Sequence, residues 1–571
     1  MVQASVPAPT HDDINITTVE ELQQALHTAC QIEMATIPLY LYALYSIKAQ
    51  VESYELDSSV WSGIVAPEIS TYRLIRSVAI EEMLHLTMAR NLLTAVGGKI
   101  EFYSPWFAPK FPTILPDKIA QDKHGKSIKF KLRKCDIEQL SHFMAVEWPG
   151  HHDPKYTKGH TILMDTLHEI FTTVQANHPF PNEETKANIQ PKVDKLKARV
   201  DKSTQLLVDL DHELKLHTIG TFYKSIRDGF EYLNDHDPEG LWGSASDQQK
   251  RQSIQMRGGE AIYWNQAGGS NVFLVHDLPS ALQAINLITH QGEGAVGDMD
   301  RPELDEAGFN YASQPVNLVT NKPEYSHYAK FWLIIQRITG RSLQYLFSGE
   351  GWFWEQEVWD LVDNPTSSYN DPAVESLATL FDACYSYTLL LIDTIYATPY
   401  KHYDKPGQPD PKWNLIMGFL TAMQGVLYPI ADLLVRQPIN KSDPTSQHAG
   451  PRFQYYVFSR DSDPKQQLMN LCHATTAYFP SLSGDDSVYQ LIRELPEATL
   501  QGLFGGRTYP YDTGVSNAIA LNKQGYCVEV HIDVLTEGPG VRKQSYRVGQ
   551  VDSGNQTVIW GGCLSFKTTH S

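Results

Sequence analysis

Along most of this chain, hydrophobic residues recur three and four positions apart, the spacing of helices that bury one face. A first helix is predicted to begin at Thr17-Thr18-Val19-Glu20-Glu21, where a threonine hydroxyl and a glutamate can cap the opening turn. It continues through Leu22, Leu26, Glu33, Ile37, Leu41 and Leu44, and Pro38 is expected to kink or interrupt it. A second helix covers about 69–96 and stops at Gly97-Gly98. Between about 99 and 200 the period weakens and proline, histidine and lysine become frequent, which predicts a long insertion of mixed structure. One helix is then expected over about 193–232, carrying Leu206, Leu207, Leu210, Leu214, Ile219, Phe222 and Ile226.

After loop chemistry at 235–269, a helix from Leu278 leads to Gln291-Gly292-Glu293-Gly294, and another runs over about 323–339. Two long apolar helices follow, 374–395 and 413–435, expected to pack as an antiparallel pair. Past about 452 the pattern changes. Residues 526–535 alternate apolar and polar as a half-buried strand does, with 545–550 and 557–566 as candidate partners. The predicted fold is therefore mainly α: a four-helix bundle with long insertions, extra helices and a small C-terminal β-containing region. The bundle is placed at 15–340 with its insertion at 99–200, a helical extension at 341–455 and the mixed region at 456–571.

Composition narrows the function. At 571 residues with 42% hydrophobic and 20% charged residues, the chain reads as globular and multi-domain. A net charge of −19 argues against nucleic acid, whose phosphates such a surface repels. The six cysteines are scattered without C-x-x-C spacing, so neither a disulfide framework nor a thiolate metal site is expected, and a reducing cytoplasm is. No signal-peptide pattern opens the chain, and stretches such as 385–395 are too short to span a bilayer, so no membrane role is expected. Nucleophile-elbow and P-loop motifs are absent, and Gly505-Gly506-Arg507 reads as a turn.

The chemistry lies in two Glu-x-x-His pairs, Glu82/His85 and Glu324/His327, each preceded by a helix-like segment with one more glutamate, Glu33 and Glu293. Residues three apart share a helix face. One Glu from each of two helices and a Glu-x-x-His from each of the other two is the ligand set of a dinuclear carboxylate site in a bundle. As a count the pairs mean little: with 21 histidines, composition alone supplies roughly one. Their setting means more. Glu82 and His85 sit in Ser-Val-Ala-Ile-Glu-Glu-Met-Leu-His-Leu, and Glu33 in Cys-Gln-Ile-Glu-Met-Ala-Thr-Ile, where an inward carboxylate is costly unless paired or metal-bound. Taken singly, Glu33 also reads as a surface carboxylate, Glu82/His85 as a hydrogen-bonded pair, Glu293 as a helix end and Glu324 as a first-turn residue. Glu81 is assigned a supporting role near His85, while Thr221, Tyr223, Tyr40 and Tyr42 are candidates to line the pocket.

The segments 30–42, 79–86, 219–223, 291–295 and 324–328, with Ala-Met-Gln-Gly-Val-Leu-Tyr-Pro at 422–429 and Ala-Gly-Pro-Arg-Phe at 449–453, resemble the ferritin-like domain of iminophenyl-pyruvate dimer synthases from the violacein and indolocarbazole pathways. That resemblance covers about residues 15–455. It implies that Glu82 and Glu324 bridge two metals, that Glu33 and Glu293 are terminal ligands, and that His85 and His327 each cap one metal. The expected cofactor is two iron ions, with manganese as the alternative. The expected activity is oxidation of a small organic molecule, one derived from an aromatic amino acid, with dioxygen or peroxide. A hydroxylase or desaturase of another pathway and a non-catalytic metal-binding protein are the alternatives, and a homodimer is left open.

Overall fold

The structure is a computed structural model that describes residues 16–48, 71–148, 156–257, 269–292, 316–348, 357–498 and 529–547, with short gaps inside several of these ranges. Glu293, Glu324 and the proposed strand at 557–566 lie outside the described residues. The chain divides into two compact units, 1–498 and 499–571. The helical extension expected at 341–455 thus shares one unit with the bundle.

Helix α1 spans Val19–Ser46 and opens on the predicted capping box: Thr18 accepts from the Glu21 amide, and Glu21 accepts from the Thr18 amide. Contrary to expectation, Pro38 does not interrupt it. Every residue from Ile32 to Ser46 is buried, and packing on all sides outweighs the one missing hydrogen bond. Helix α2, Thr71–Ala95, packs along α1 and ends before Gly97, whose φ of +82° terminates it as predicted.

The 99–200 insertion is more helical than its weak pattern suggested, holding α3 (Ile137–Val146), α4 (Tyr156–Asn177) and much of α5 (Glu183–Asp211). The single helix expected over 193–232 is two, α5 and α6 (Ile219–His236), because Thr218 caps a new start with its own hydroxyl. Short helices α7 (Pro238–Trp242) and α8 (Ala245–Ile254) follow, then α9 (Leu278–Gly292). Helix α10, His327–Ser348, begins later than predicted, after a two-residue strand at Lys322–Pro323. The Ser326 hydroxyl accepts from the Ala329 amide at its start.

Helix α11 (Pro372–Ala397) packs against α12 (Pro411–Thr421), a π-helical turn (Ala422–Leu427) and α13 (Tyr428–Val435). Pro429 explains the π turn: its ring would collide with the carbonyl four residues back, and the wider turn relieves this. By length and composition Pro411–Val435 is apolar enough to cross a membrane, with a mean hydropathy of 1.4, but half of that stretch is buried in the protein. In the second unit Glu529–Leu535 pairs antiparallel with Val541–Arg547, so the predicted strand has a partner a few residues earlier than 545–550.

Candidate metal centre

Five helices converge on a cluster of buried charged side chains. Helix α1 contributes Glu33, Thr36 and Tyr40 at spacings of three and four, on one face. Helix α2 contributes Glu81, Glu82 and His85, α6 Tyr223, α9 Gln291, and α10 His327 and Lys330. Glu147, which directly follows α3, completes the cluster. Its acidic and histidine members are each at most 3% exposed. Ligand atoms of Glu82, His85 and His327 all lie within 4.8 Å of one another.

Three of the four carboxylates keep one oxygen on a hydroxyl. Tyr223 donates to Glu33 Oε1 at 2.6 Å, Thr36 to Glu82 Oε2 at 2.6 Å and Tyr40 to Glu147 Oε1 at 2.5 Å. The other oxygens of Glu33 and Glu82 face the imidazoles. His85 Nδ1 is 3.7 Å from Glu33 Oε2 and 3.8 Å from Glu82 Oε1, and His327 Nδ1 is 2.8 Å from that same Glu82 oxygen. The far nitrogens are tied down: His85 Nε2 to Gln291 Oε1 at 3.1 Å, and His327 Nε2 to Glu81 Oε2 at 2.8 Å. Lys330 grips both oxygens of Glu81 at 2.6 and 2.8 Å. The two rings stack with centroids 5.2 Å apart.

Electrostatics show the strain of this arrangement. Burial, then the Glu82 charge, pushes the Glu33 carboxyl well above its usual range, and burial, then Glu147, raises Glu82. Burial, then His327, lowers His85 to about 3. Burial opposes a charge on His327 too, but Glu147, Glu81 and Glu82 together outweigh it and raise its pKa.

The donor set fits metal ions. Both histidines offer Nδ1 toward carboxylate oxygens while Nε2–H is held by an acceptor, the arrangement that fixes a metal-binding imidazole. His327 Nδ1 is buried and makes no well-aligned hydrogen bond despite its 2.8 Å approach to Glu82. An imidazole nitrogen and carboxylate oxygens converging without hydrogen-bond geometry is what a shared cation requires.

The sequence-predicted residues divide clearly. Glu33, Glu82, His85 and His327 come together, with Tyr223 and Tyr40 holding carboxylates. Glu81, expected near His85, also accepts from Lys330 and meets His327 Nε2, since α10 packs against that side of α2. Thr221, expected to line the pocket, spends its hydroxyl on the Thr218 amide and carbonyl in the cap of α6. Tyr42 bonds the Val362 carbonyl, away from the cluster. Glu147 was missed. It belongs to no Glu-x-x-His pair, and its only signal is a carboxylate three and four residues after buried Met144 and Phe143.

The family model for ferritin-like proteins matches residues 26–336, more than half of the chain and every described member of this cluster. This chain belongs to the ferritin-like family. Among solved structures, a ferritin-like protein from Caulobacter vibrioides is similar at 16% identity, over 76% of this chain and 98% of that one, with a TM-score of 0.34. No curated protein matches the sequence. The ferritin-like assignment agrees with the mainly helical fold and with a Glu/His cluster suited to metal.

Proposed function

We propose that this ferritin-like protein is a metal-dependent oxidoreductase that uses two iron ions, or manganese, and dioxygen or peroxide to oxidise a small organic molecule. One observation carries the reading: both buried histidines turn Nδ1 to carboxylate oxygens while Gln291 and Glu81 hold their Nε2 atoms. Glu33, Glu82, Glu147, His85 and His327 would hold the metal, with Glu293 and Glu324 as the further ligands the sequence order suggests. When bound, such a centre supplies one-electron chemistry and open coordination positions for oxygen.

The chain's own residues prepare the site. Tyr223, Thr36 and Tyr40 each fix one carboxylate oxygen and leave the other free. Glu81, neutralised by Lys330, orients His327 and favours a proton on its Nε2, which keeps Nδ1 available as a ligand. Burial excludes water from the reacting region. The likeness of the quoted segments to iminophenyl-pyruvate dimer synthases supports an aromatic amino-acid-derived substrate and an oxidative imine coupling. The four described cysteines are buried and in no disulfide, in keeping with a reducing cytoplasm.

Metal analysis of the purified chain tests the reading. Two iron or manganese atoms per chain are expected, lost in Glu82→Ala and His85→Ala together with substrate-dependent oxygen uptake. A wild-type chain that folds fully yet takes up no metal when supplied with both ions would overturn it.

A further inference from the structure

The helix pair that carries the metal donors has a second face, and that face lines a small cavity. Met34 follows Glu33, Leu41 follows Tyr40, Met83 follows Glu82 and Leu86 follows His85, and each of these followers lines it. One step along a helix turns a side chain by about 100°. Cavity and metal centre therefore occupy neighbouring sides of the same two helices. The far wall is α11, through Leu389, with the π turn beside it, through Met423.

Size and lining decide what this cavity can hold. Its volume is about 40 Å³, whereas an engineered cavity that takes benzene has about 150 Å³. A ring-sized guest is too large. Water is a poor guest too, since each molecule needs roughly two to four polar partners. No described lining side chain is charged, and the hydroxyl hydrogens at the edge are already committed. Thr87 donates to the Met83 carbonyl at 2.8 Å, Thr388 to the Cys384 carbonyl at 2.8 Å, and Tyr396 to the Thr87 carbonyl at 3.1 Å. The Tyr385 hydroxyl has no surface on the space. Four methionines, Met34, Met83, Met256 and Met423, contribute flexible, polarizable thioethers instead. An unfilled void forfeits dispersion contacts along such a wall, and a small apolar guest restores them.

We propose that this cavity is a docking site for dioxygen beside the metal centre, and that dioxygen rather than peroxide is the oxidant the protein gathers. Dioxygen is uncharged, apolar and diatomic, as the lining and volume require. Hydrogen peroxide carries two O–H donors and would give up its hydration on entering a wall that returns little. The identity of the gas rests on the metal-dependent oxidation proposed above. The preference for a small apolar guest does not, because it follows from the cavity alone.

Xenon, an apolar atom that enters dry cavities, is the first probe. In the full chain it is expected to shift the methyl resonances of Met34, Met83, Met256 and Met423, while Met144, buried outside the cavity, stays unmoved. Leu389→Phe fills the space from the wall away from the metal donors, so it should abolish those shifts and leave metal content unaltered. In the reduced, iron-loaded protein it should raise severalfold the dioxygen concentration needed for half-maximal reoxidation. The rate at saturating dioxygen should be unchanged, the mark of lost ground-state binding, and so should the reaction with peroxide. Leu389→Ala, which enlarges the cavity, should strengthen the xenon shifts and covers the case in which the larger side chain prevents folding. Absence of xenon shifts in the wild-type chain overturns the site. Xenon shifts with an unaltered dioxygen dependence in Leu389→Phe overturn dioxygen as its guest, as does an equal effect on the peroxide reaction. If the chain binds xenon but no iron or manganese, the metal reading fails and takes the dioxygen assignment with it, while the apolar gas site stands.

Discussion

On one side of α1 and α2 stand Glu33, Thr36, Tyr40, Glu82 and His85; on the other stand Met34, Ile37, Leu41, Met83 and Leu86. Both sides are buried, yet they satisfy burial differently. The apolar side gains by leaving water. The polar side loses hydration and recovers it through paired hydroxyls, a lysine and converging donors suited to a cation. Equal burial, then, conceals two energetic regimes: one face is stable by itself, and the other depends on paired charges and hydroxyls in an arrangement suited to a cation.

Lys330→Met should test this contrast most severely. It removes the lysine that grips both oxygens of the fully buried Glu81, and a loss of about 3–5 kcal/mol is expected in chemical denaturation. The double variant Lys330→Met/Glu81→Gln should recover much of it; if it does not, the lysine matters for packing and the contrast weakens. Glu81→Gln alone keeps a hydrogen-bond acceptor for His327 but loses the charge, so metal affinity should fall by about 10–100-fold, read by competition with a chelating dye.

Acidity sharpens the same comparison. The raised carboxyls of Glu33 and Glu82 and the raised His327 hold protons that metal must displace. Affinity should therefore climb with pH by about tenfold per unit for each proton displaced. In metal-free protein the sign reverses. Carboxyls whose folded pKa is raised contribute stability that is present at low pH and lost as pH rises through the folded values, so the chelated form should weaken with pH while the loaded form does not. An identical pH profile for the two forms would show that metal does not meet these groups. The smallest effect is expected on the apolar side: Met83→Leu conserves volume, should cost less than about 1.5 kcal/mol and should leave metal content untouched.

How far the sequence could be read follows the same division. The helix start at Thr18 with Glu21 was legible from its cap, and so was the stop at Gly97. The break before α6 was missed, although Thr218 caps it, because apolar spacing runs on through Leu214 and Ile219. Glu82 and His85 were legible from their i,i+3 spacing, a local relation that a helix turns into shared direction; His327 was named from the same spacing, although its helix begins only at His327. Glu147 was not, since its place in the cluster depends on α3 packing against α10, over a separation no local pattern encodes. Glu293 and Glu324 lie outside the described residues, and their roles rest on the sequence order.

By itself, then, the sequence determined the long apolar helices, the cap at Thr18 and four of the site's donors, because backbone hydrogen bonding and side-chain period act within a few residues. Tertiary structure alone decided that Glu147 joins them, that Glu81 serves His327 through Lys330, and that Tyr385 is left without a partner. Those outcomes depend on which helix faces meet, and packing settles that across hundreds of residues.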